Sequence, residues 1–154
     1  MTTISEKLQQ LGHSLPPVKA PAANYLSYTL QGNLLIIAGQ IGNPGTAKAG
    51  VVGAGCSPET AQKEAEMAAL RLLAVIDAVT GGDITRIQQV LRLGVFIAAS
   101  PDFDGHSAIA NGASDLFVAT LGERGRHART AIGVASLPTG AAVEVDAIVQ
   151  LVAS

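Results

Sequence analysis

Near its C-terminus the chain reads "AAVEVDAIVQLV", and the two-residue rhythm of this run constrains the fold more than any other stretch. In an extended strand Val143, Val145, Ala147, Val149 and Leu151 share one face, while Glu144, Asp146, Ile148, Gln150 and Val152 share the other. Such a strand needs neighbours to pair with and a second layer to cover its valines. The other face has two readings. It is solvated, as in many antiparallel sheets, or it is partly buried against another subunit, as Ile148 and Val152 beside the two acids suggest. The segment before it, "ARTAIGVASL", carries Arg129 at its start and is followed by Pro138-Thr139-Gly140, a turn signal. The two segments are therefore expected to pair as a hairpin, with Arg129 and Glu144 near one cleft. An arginine there suits a planar carboxylate, which its guanidinium holds with two parallel hydrogen bonds.

The remaining elements follow from spacing and punctuation. Ile4, Leu8 and Leu11 repeat at helical intervals up to Gly12, and the three prolines of "HSLPPVKAPAAN" then predict an extended segment, so residues 1–23 form a short helix and a Pro-rich lead-in. "YLSYTLQGNLLIIAGQ" predicts a hairpin turning at Gln31-Gly32-Asn33, with Leu34 to Ala38 buried on both faces. Ser57, Pro58 and Glu59 mark the start of a long helix, Ala61 to Val79 recur along one side of it, and Gly81-Gly82 ends it. Val90 to Ile97 read as a third strand. A second helix runs through "SPDFDGHSAIANGASDLFVATLG", with Phe103 near its start and a soft point at Asn111-Gly112. The order β-β-α-β-α-β-β, after a short helix, describes one domain over 1–154, without a repeat or a linker-like shift in composition.

Composition removes several function classes. With 10 basic and 12 acidic residues, a net charge of -2 and no basic run, the chain lacks the footprint that binds nucleic-acid phosphates. No N-terminal apolar segment and no run of about 18 apolar residues is present, so a cytoplasmic protein without a membrane span is expected. The single cysteine, Cys56, forms no disulfide within the chain and fits a reducing compartment. Charged residues make up only 14% of the chain, consistent with surface buried between subunits.

Few motifs carry chemistry. The glycines of "GVVGAG" precede a helix, but the loop is too long for a dinucleotide fingerprint and lacks the lysine of a phosphate loop. His13, His106 and His127 show no metal-ligand spacing, although His127 stands two residues from Arg129 on the same side of an extended segment, where it would line a pocket mouth. No nucleophile motif is present, and Cys56 has no cationic neighbour in sequence.

"NYLSYTLQGNLLIIAGQIG", "SPETAQKEA", "VLRLGVFIAASPDF" and above all "HARTAIGVASLPTGAAVEVDAI" resemble the reactive intermediate deaminase family, also called YjgF or Rid, from about Asn24 onward. The likeness is strongest to a longer bacterial branch labelled endoribonuclease-like or translation-inhibitor-like. The resemblance implies an α+β, chorismate-mutase-like fold, a mostly antiparallel sheet covered on one face by two helices, in a homotrimer with ligand sites in its subunit clefts. It places Arg129 on the substrate-carboxylate arginine, Glu144 on the water-positioning glutamate, Tyr25 on a pocket tyrosine and Asn111 on a pocket asparagine. Where many deaminating members carry cysteine two residues after the arginine, this chain has Ala131. The implied activity is hydrolysis of 2-imino or 2-enamino acids to 2-keto acids and ammonia, with neither metal nor organic cofactor. The alternative is a non-catalytic binder or sensor of small carboxylate metabolites. An acidic chain without a basic aromatic groove offers no machinery for cutting RNA.

Overall fold

The computed structural model describes residues 2–42 and 49–154, so the middle of the glycine-rich loop lies outside the described residues. Helix α1 spans Ile4–Gln10, and the hairpin strands β1 and β2 span Tyr28–Gln31 and Leu34–Ile41. Two short strands, β3 (Val51–Val52) and β4 (Gly55–Cys56), pair in parallel before helix α2 (Pro58–Thr80). Strand β5 (Ile87–Ala98), helix α3 (His106–Leu121), strand β6 (Ala128–Val134) and strand β7 (Val143–Leu151) complete the chain.

The caps of α2 are those its sequence specifies. The Ser57 hydroxyl accepts from the Thr60 amide at 3.1 Å, Pro58 occupies the first turn, and Gly81 closes the helix at φ +67°. Its inward face is largely alanine, with Ala61, Ala65, Ala68 and Ala69 fully buried, so its backbone lies close to its neighbours. Helix α3 comes closest. A Cβ at Gly112 would collide with the Gln62 carbonyl of α2, and the Gln62 amide donates to the Ala108 carbonyl at 3.0 Å. The expected soft point at Asn111-Gly112 is thus a tight helix-helix contact inside an unbroken helix. Phe103 lies ahead of α3, its ring edge-on to His106 with centroids 5.2 Å apart. Leu11, the last residue of the expected apolar stripe on α1, is 42% exposed, whereas Ile4 and Leu8 are buried.

The main sheet has the order β1-β2-β7-β5-β6, antiparallel except for β5 with β6. Helices α2 and α3 cover one face. Leu35, Ile37, Leu93, Val95, Val145 and Val149 point into that layer and are almost wholly buried, as the alternation in β7 required. The buried carboxylate of Glu64 on α2 accepts the Ala142 amide at 2.9 Å and so pins the entry into β7.

Two expectations change. Strands β6 and β7 do not form a hairpin: Pro138–Gly140 make a 3-10 turn with Thr139 at φ +57°, and β7 passes over β5 to pair between it and β2. The turn residues dictated a reversal of direction, and the two-sided hydrogen-bonding need of the valine-rich β7 dictated the central position. Strand β2 is not buried on both faces, because Ile36 is 44% exposed on the side without helices. Ile132 is equally exposed there, and the half-buried Leu34, Phe96 and Ile148 complete an apolar surface across the open face.

Replacing Gly112 by alanine is expected to lower the unfolding free energy by about 1–3 kcal/mol, because neither helix backbone has room to give. Urea unfolding reads this directly, and an unchanged midpoint would mean that α2 and α3 have slack at their contact.

Candidate functional site

Strand β6 is an edge strand, and its helix-facing side chains look toward α3. Arg129 pairs with the buried Leu93 and therefore points to the helix side. On α3, Ser107, Asn111 and Ser114 follow one another at intervals of four and three residues, a single polar stripe over β6. The Arg129 Nη1 group donates to Asn111 Oδ1 at 2.8 Å and to Ser114 Oγ at 3.1 Å, while Nη2 makes longer contacts to Ser107 Oγ at 3.3 Å and its carbonyl at 3.5 Å. Nη1 has two hydrogens, and both are engaged. The Nε hydrogen donates to no acceptor among the described residues.

Behind Ser114 stands His127. Its Nδ1 lies 2.7 Å from the Gly125 carbonyl and its Nε2 lies 2.8 Å from Ser114 Oγ. A carbonyl only accepts, so Nδ1 carries the proton, Nε2 of the neutral ring accepts from the serine hydroxyl, and the serine oxygen is left to accept from Arg129. Burial keeps the ring neutral by lowering its pKa, the Gly125 carbonyl opposes that shift, and the Arg129 charge adds to it. Phe117 closes the far side edge-on, with ring centroids 6.2 Å apart. Ser114, Val118, Arg126, His127 and Arg129 line a cavity of about 240 Å³.

Glu144 is elsewhere. It pairs with Phe96 of β5 and Ile41 of β2 and projects onto the open face, opposite to Arg129, with β5 between them. The single-chain cleft expected of paired strands therefore does not form. Glu144 lies across Gly39, where a Cβ would come within 3.0 Å of its Cδ, so the missing side chain of Gly39 makes space for the carboxylate. Burial raises the Glu144 pKa and the neighbouring Asp146 raises it further. Asp146 itself accepts the Gly94 amide at 3.0 Å and faces Arg92 Nη1 at 3.3 Å. Tyr25, 55% exposed, lines a second cavity of about 230 Å³ with Lys19, Ser27, Gly39, Gln40 and Arg71.

The five site residues read from the sequence thus fall into two groups. Arg129, Asn111 and Ala131, which packs against the core beside Val95, stand at the β6 edge. Tyr25 and Glu144 each neighbour Gly39, the first through the shared cavity and the second across its bare Cα. Ser107 and Ser114 were not singled out in the sequence, although their spacing around Asn111 was the available signal. Cys56 is buried, and burial followed by the Glu64 charge raises its pKa, which makes it a poor nucleophile. No group of three or more potential metal-ligating side chains gathers among the described residues, and no described helix is long and apolar enough to cross a membrane.

Similarity to known proteins covers almost the whole chain. Residues 17–151 match the family described as endoribonuclease L-PSP. Protein TCP17 of Trypanosoma cruzi is 44% identical over 96% of this chain and 94% of its own length. The Agrobacterium tumefaciens protein Atu1372, of unknown function, is 42% identical with a TM-score of 0.88, covering 97% of this chain and 92% of the other. Escherichia coli TdcF, solved with bound serine, shares the fold at 21% identity and a TM-score of 0.60, over 86% of this chain and 92% of its own. The chain belongs to the endoribonuclease L-PSP family, within the YjgF/Rid superfamily, and has its chorismate-mutase-like α+β fold.

Proposed function

We propose that the chain is a cytoplasmic enzyme that hydrolyses small 2-imino acids, or their enamine tautomers, to 2-keto acids and ammonia. The observation that carries this reading is the Arg129 cradle, in which Asn111, Ser114 and Ser107 hold a guanidinium beside a small cavity and leave its Nε edge open. Such an edge matches a carboxylate in geometry and charge. An amino acid, serine, is the ligand in the TdcF structure, and a 2-imino acid carries the same carboxylate.

The reaction asks little more of the protein. Water adds to the electrophilic imine carbon, its proton passes to a base, and the resulting carbinolamine expels ammonia as the carbonyl forms. Glu144 is the base in this reading, and its raised pKa brings it nearer to neutral pH, where a general base works best. Backbone N–H groups near Ala131 orient the ligand, and Tyr25 borders the cleft. No step calls for a metal or organic cofactor.

Arg129 and Glu144 face opposite sides of one sheet, so their cooperation requires two copies of the chain. A head-to-tail arrangement sets the β6 edge of one copy against the Gly39 region of the next and closes into a ring, here a homotrimer. The exposed Ile36 and Ile132 on the open face supply apolar surface for this assembly. RNA cleavage, which the family's description names, has less support: the net charge is -2, and the His127 ring is held neutral with both nitrogens engaged within the chain.

Arg129→Ala is expected to lower kcat/KM for imine hydrolysis about a hundredfold or more while the thermal midpoint stays unchanged. The assay couples an amino-acid oxidase, as the imine source, to keto-acid release; retained acceleration would overturn the carboxylate role.

For Glu144 the pH profile is the test. A base acts when ionised, so the rate is expected to rise with pH along a limb displaced above the ordinary carboxyl value of 4.5, and Glu144→Gln should remove that limb with most of the rate. A raised native pKa favours the folded state below the unfolded pKa, and this contribution disappears as pH rises through the native value. The same variant should therefore be slightly more stable than the parent at neutral pH, by thermal unfolding.

Ile36→Lys, which sets a charge on the open face, is expected to shift the protein from trimer to monomer in light scattering and to abolish activity with it. A variant that remains trimeric would place the contact on another surface.

A further inference from the structure

We propose that Ser114 and His127 are positioning residues for Arg129: Ser114 accepts from its Nη1 group and His127 holds Ser114 from behind, so that the ligand carboxylate is received on the Nε–Nη2 edge. This rests on the carboxylate reading of Arg129 and adds which edge binds and what holds it. The argument is one of hydrogen-bond directions. The Gly125 carbonyl admits only a donor, which fixes the proton on His127 Nδ1 at 2.7 Å. Nε2 must then accept the Ser114 hydroxyl at 2.8 Å, and the serine oxygen presents its remaining lone pairs to Arg129 Nη1 at 3.1 Å. Asn111 Oδ1 takes the second Nη1 hydrogen at 2.8 Å. With Nη1 held by its two shorter bonds, a carboxylate forms two parallel bonds at Nε and Nη2, where it replaces the longer Nη2 contacts to Ser107 at 3.3 and 3.5 Å.

The charged surroundings favour this order. The charged groups beside His127 are Arg129 on β6 and Arg126 at the end of the preceding turn, the latter paired with the Glu123 carboxylate at 3.0 Å. From α3 the uncharged Ser114, Val118 and Phe117 face this side. Burial disfavours an imidazolium here, and the Arg129 charge acts in the same direction against the opposing Gly125 carbonyl. The chain Arg129→Ser114→His127→Gly125 therefore runs one way at neutral pH, and each member has one arrangement of protons.

A relay of this type acts on ligand affinity and leaves chemistry at the imine carbon untouched. The experiment measures imine hydrolysis and pyruvate binding by calorimetry for the full-length protein and for Ser114→Ala, Ser114→Thr, His127→Ala, His127→Gln and Arg129→Ala. Ser114→Ala and His127→Ala are expected to weaken pyruvate binding and raise KM about ten- to hundredfold, the loss typical of one hydrogen bond to a charged group, with kcat within about twofold of the parent. Ser114→Thr, which keeps the hydroxyl, restores the parental KM. Nitrogen chemical shifts of the unliganded parent are expected to show His127 protonated at Nδ1 alone.

Unaltered KM and pyruvate affinity in Ser114→Ala, or a proton found on Nε2, overturns the proposal. So does an equal fall in kcat and thermal midpoint that Ser114→Thr fails to reverse, since that marks a purely structural role. If His127→Ala does not fold, His127→Gln, which keeps an acceptor at the Nε2 end, decides by the same KM comparison. Arg129→Ala separates the two levels. If it binds pyruvate as the parent does, the carboxylate reading itself fails; if it alone loses binding, the arginine role stands and the positioning pair falls.

Discussion

Everything at the β6 edge depends on how closely α3 can approach α2. The approach is possible because Gly112 presents bare backbone to the Gln62 carbonyl and because α2 offers mostly alanine to its surroundings. Side chains of ordinary size at those positions would lift α3 away from the sheet. The polar stripe of Ser107, Asn111 and Ser114 would move with it, out of hydrogen-bonding range of Arg129. Steric economy between two helices thus determines the geometry of a charged group on a strand that neither glycine nor glutamine touches. A core poor in aromatics, with only 3% of the chain Phe, Tyr or Trp, is what this closeness requires.

Much of the fold was legible because its signals are local. Ser57, Pro58 and Gly81 bound α2 where the caps predict, and the valine rhythm of β7 predicts its buried face. What sequence spacing does not contain is the neighbour of a strand. The Pro138-Thr139-Gly140 turn reverses the chain equally well whether β7 pairs with β6 or passes beyond it, and only the need of a doubly flanked apolar strand for two partners distinguishes the cases. The same gap obscured the relation of Arg129 to Glu144. Alternation showed each facing away from its own chain neighbours, but facing is relative until the sheet order is known. Ser114 was hidden for a related reason. A lone serine in a helix has no distinctive signature, and its meaning appears only when the stripe on α3 is laid over β6.

The two groups of site residues differ in chemical character. Around Arg129 the Nη1 group, the Ser114 hydroxyl and the His127 ring each have a fixed partner and a fixed proton, so the guanidinium is held on one side and open at Nε. Around Gly39 the surroundings are open, with an exposed tyrosine and a carboxylate whose ionisation is disfavoured. A catalyst that holds one end of a substrate firmly and moves protons at the other benefits from such a division, because orientation and proton transfer then make separate demands on the protein.

The central place of β7 has a consequence for how the chain acquires its structure. Among the described strands it leaves the ribosome last, yet it lies between β2 and β5 and supplies the hydrogen bonds that join the β1-β2 hairpin to the β5-β6 pair. Until it arrives, the growing polypeptide holds two separate ladders with open inner edges, each a template for incorrect pairing. Completion of the sheet is thus an event of long sequence separation, slow by its topology, and the nascent protein spends that interval dependent on whatever shields those edges.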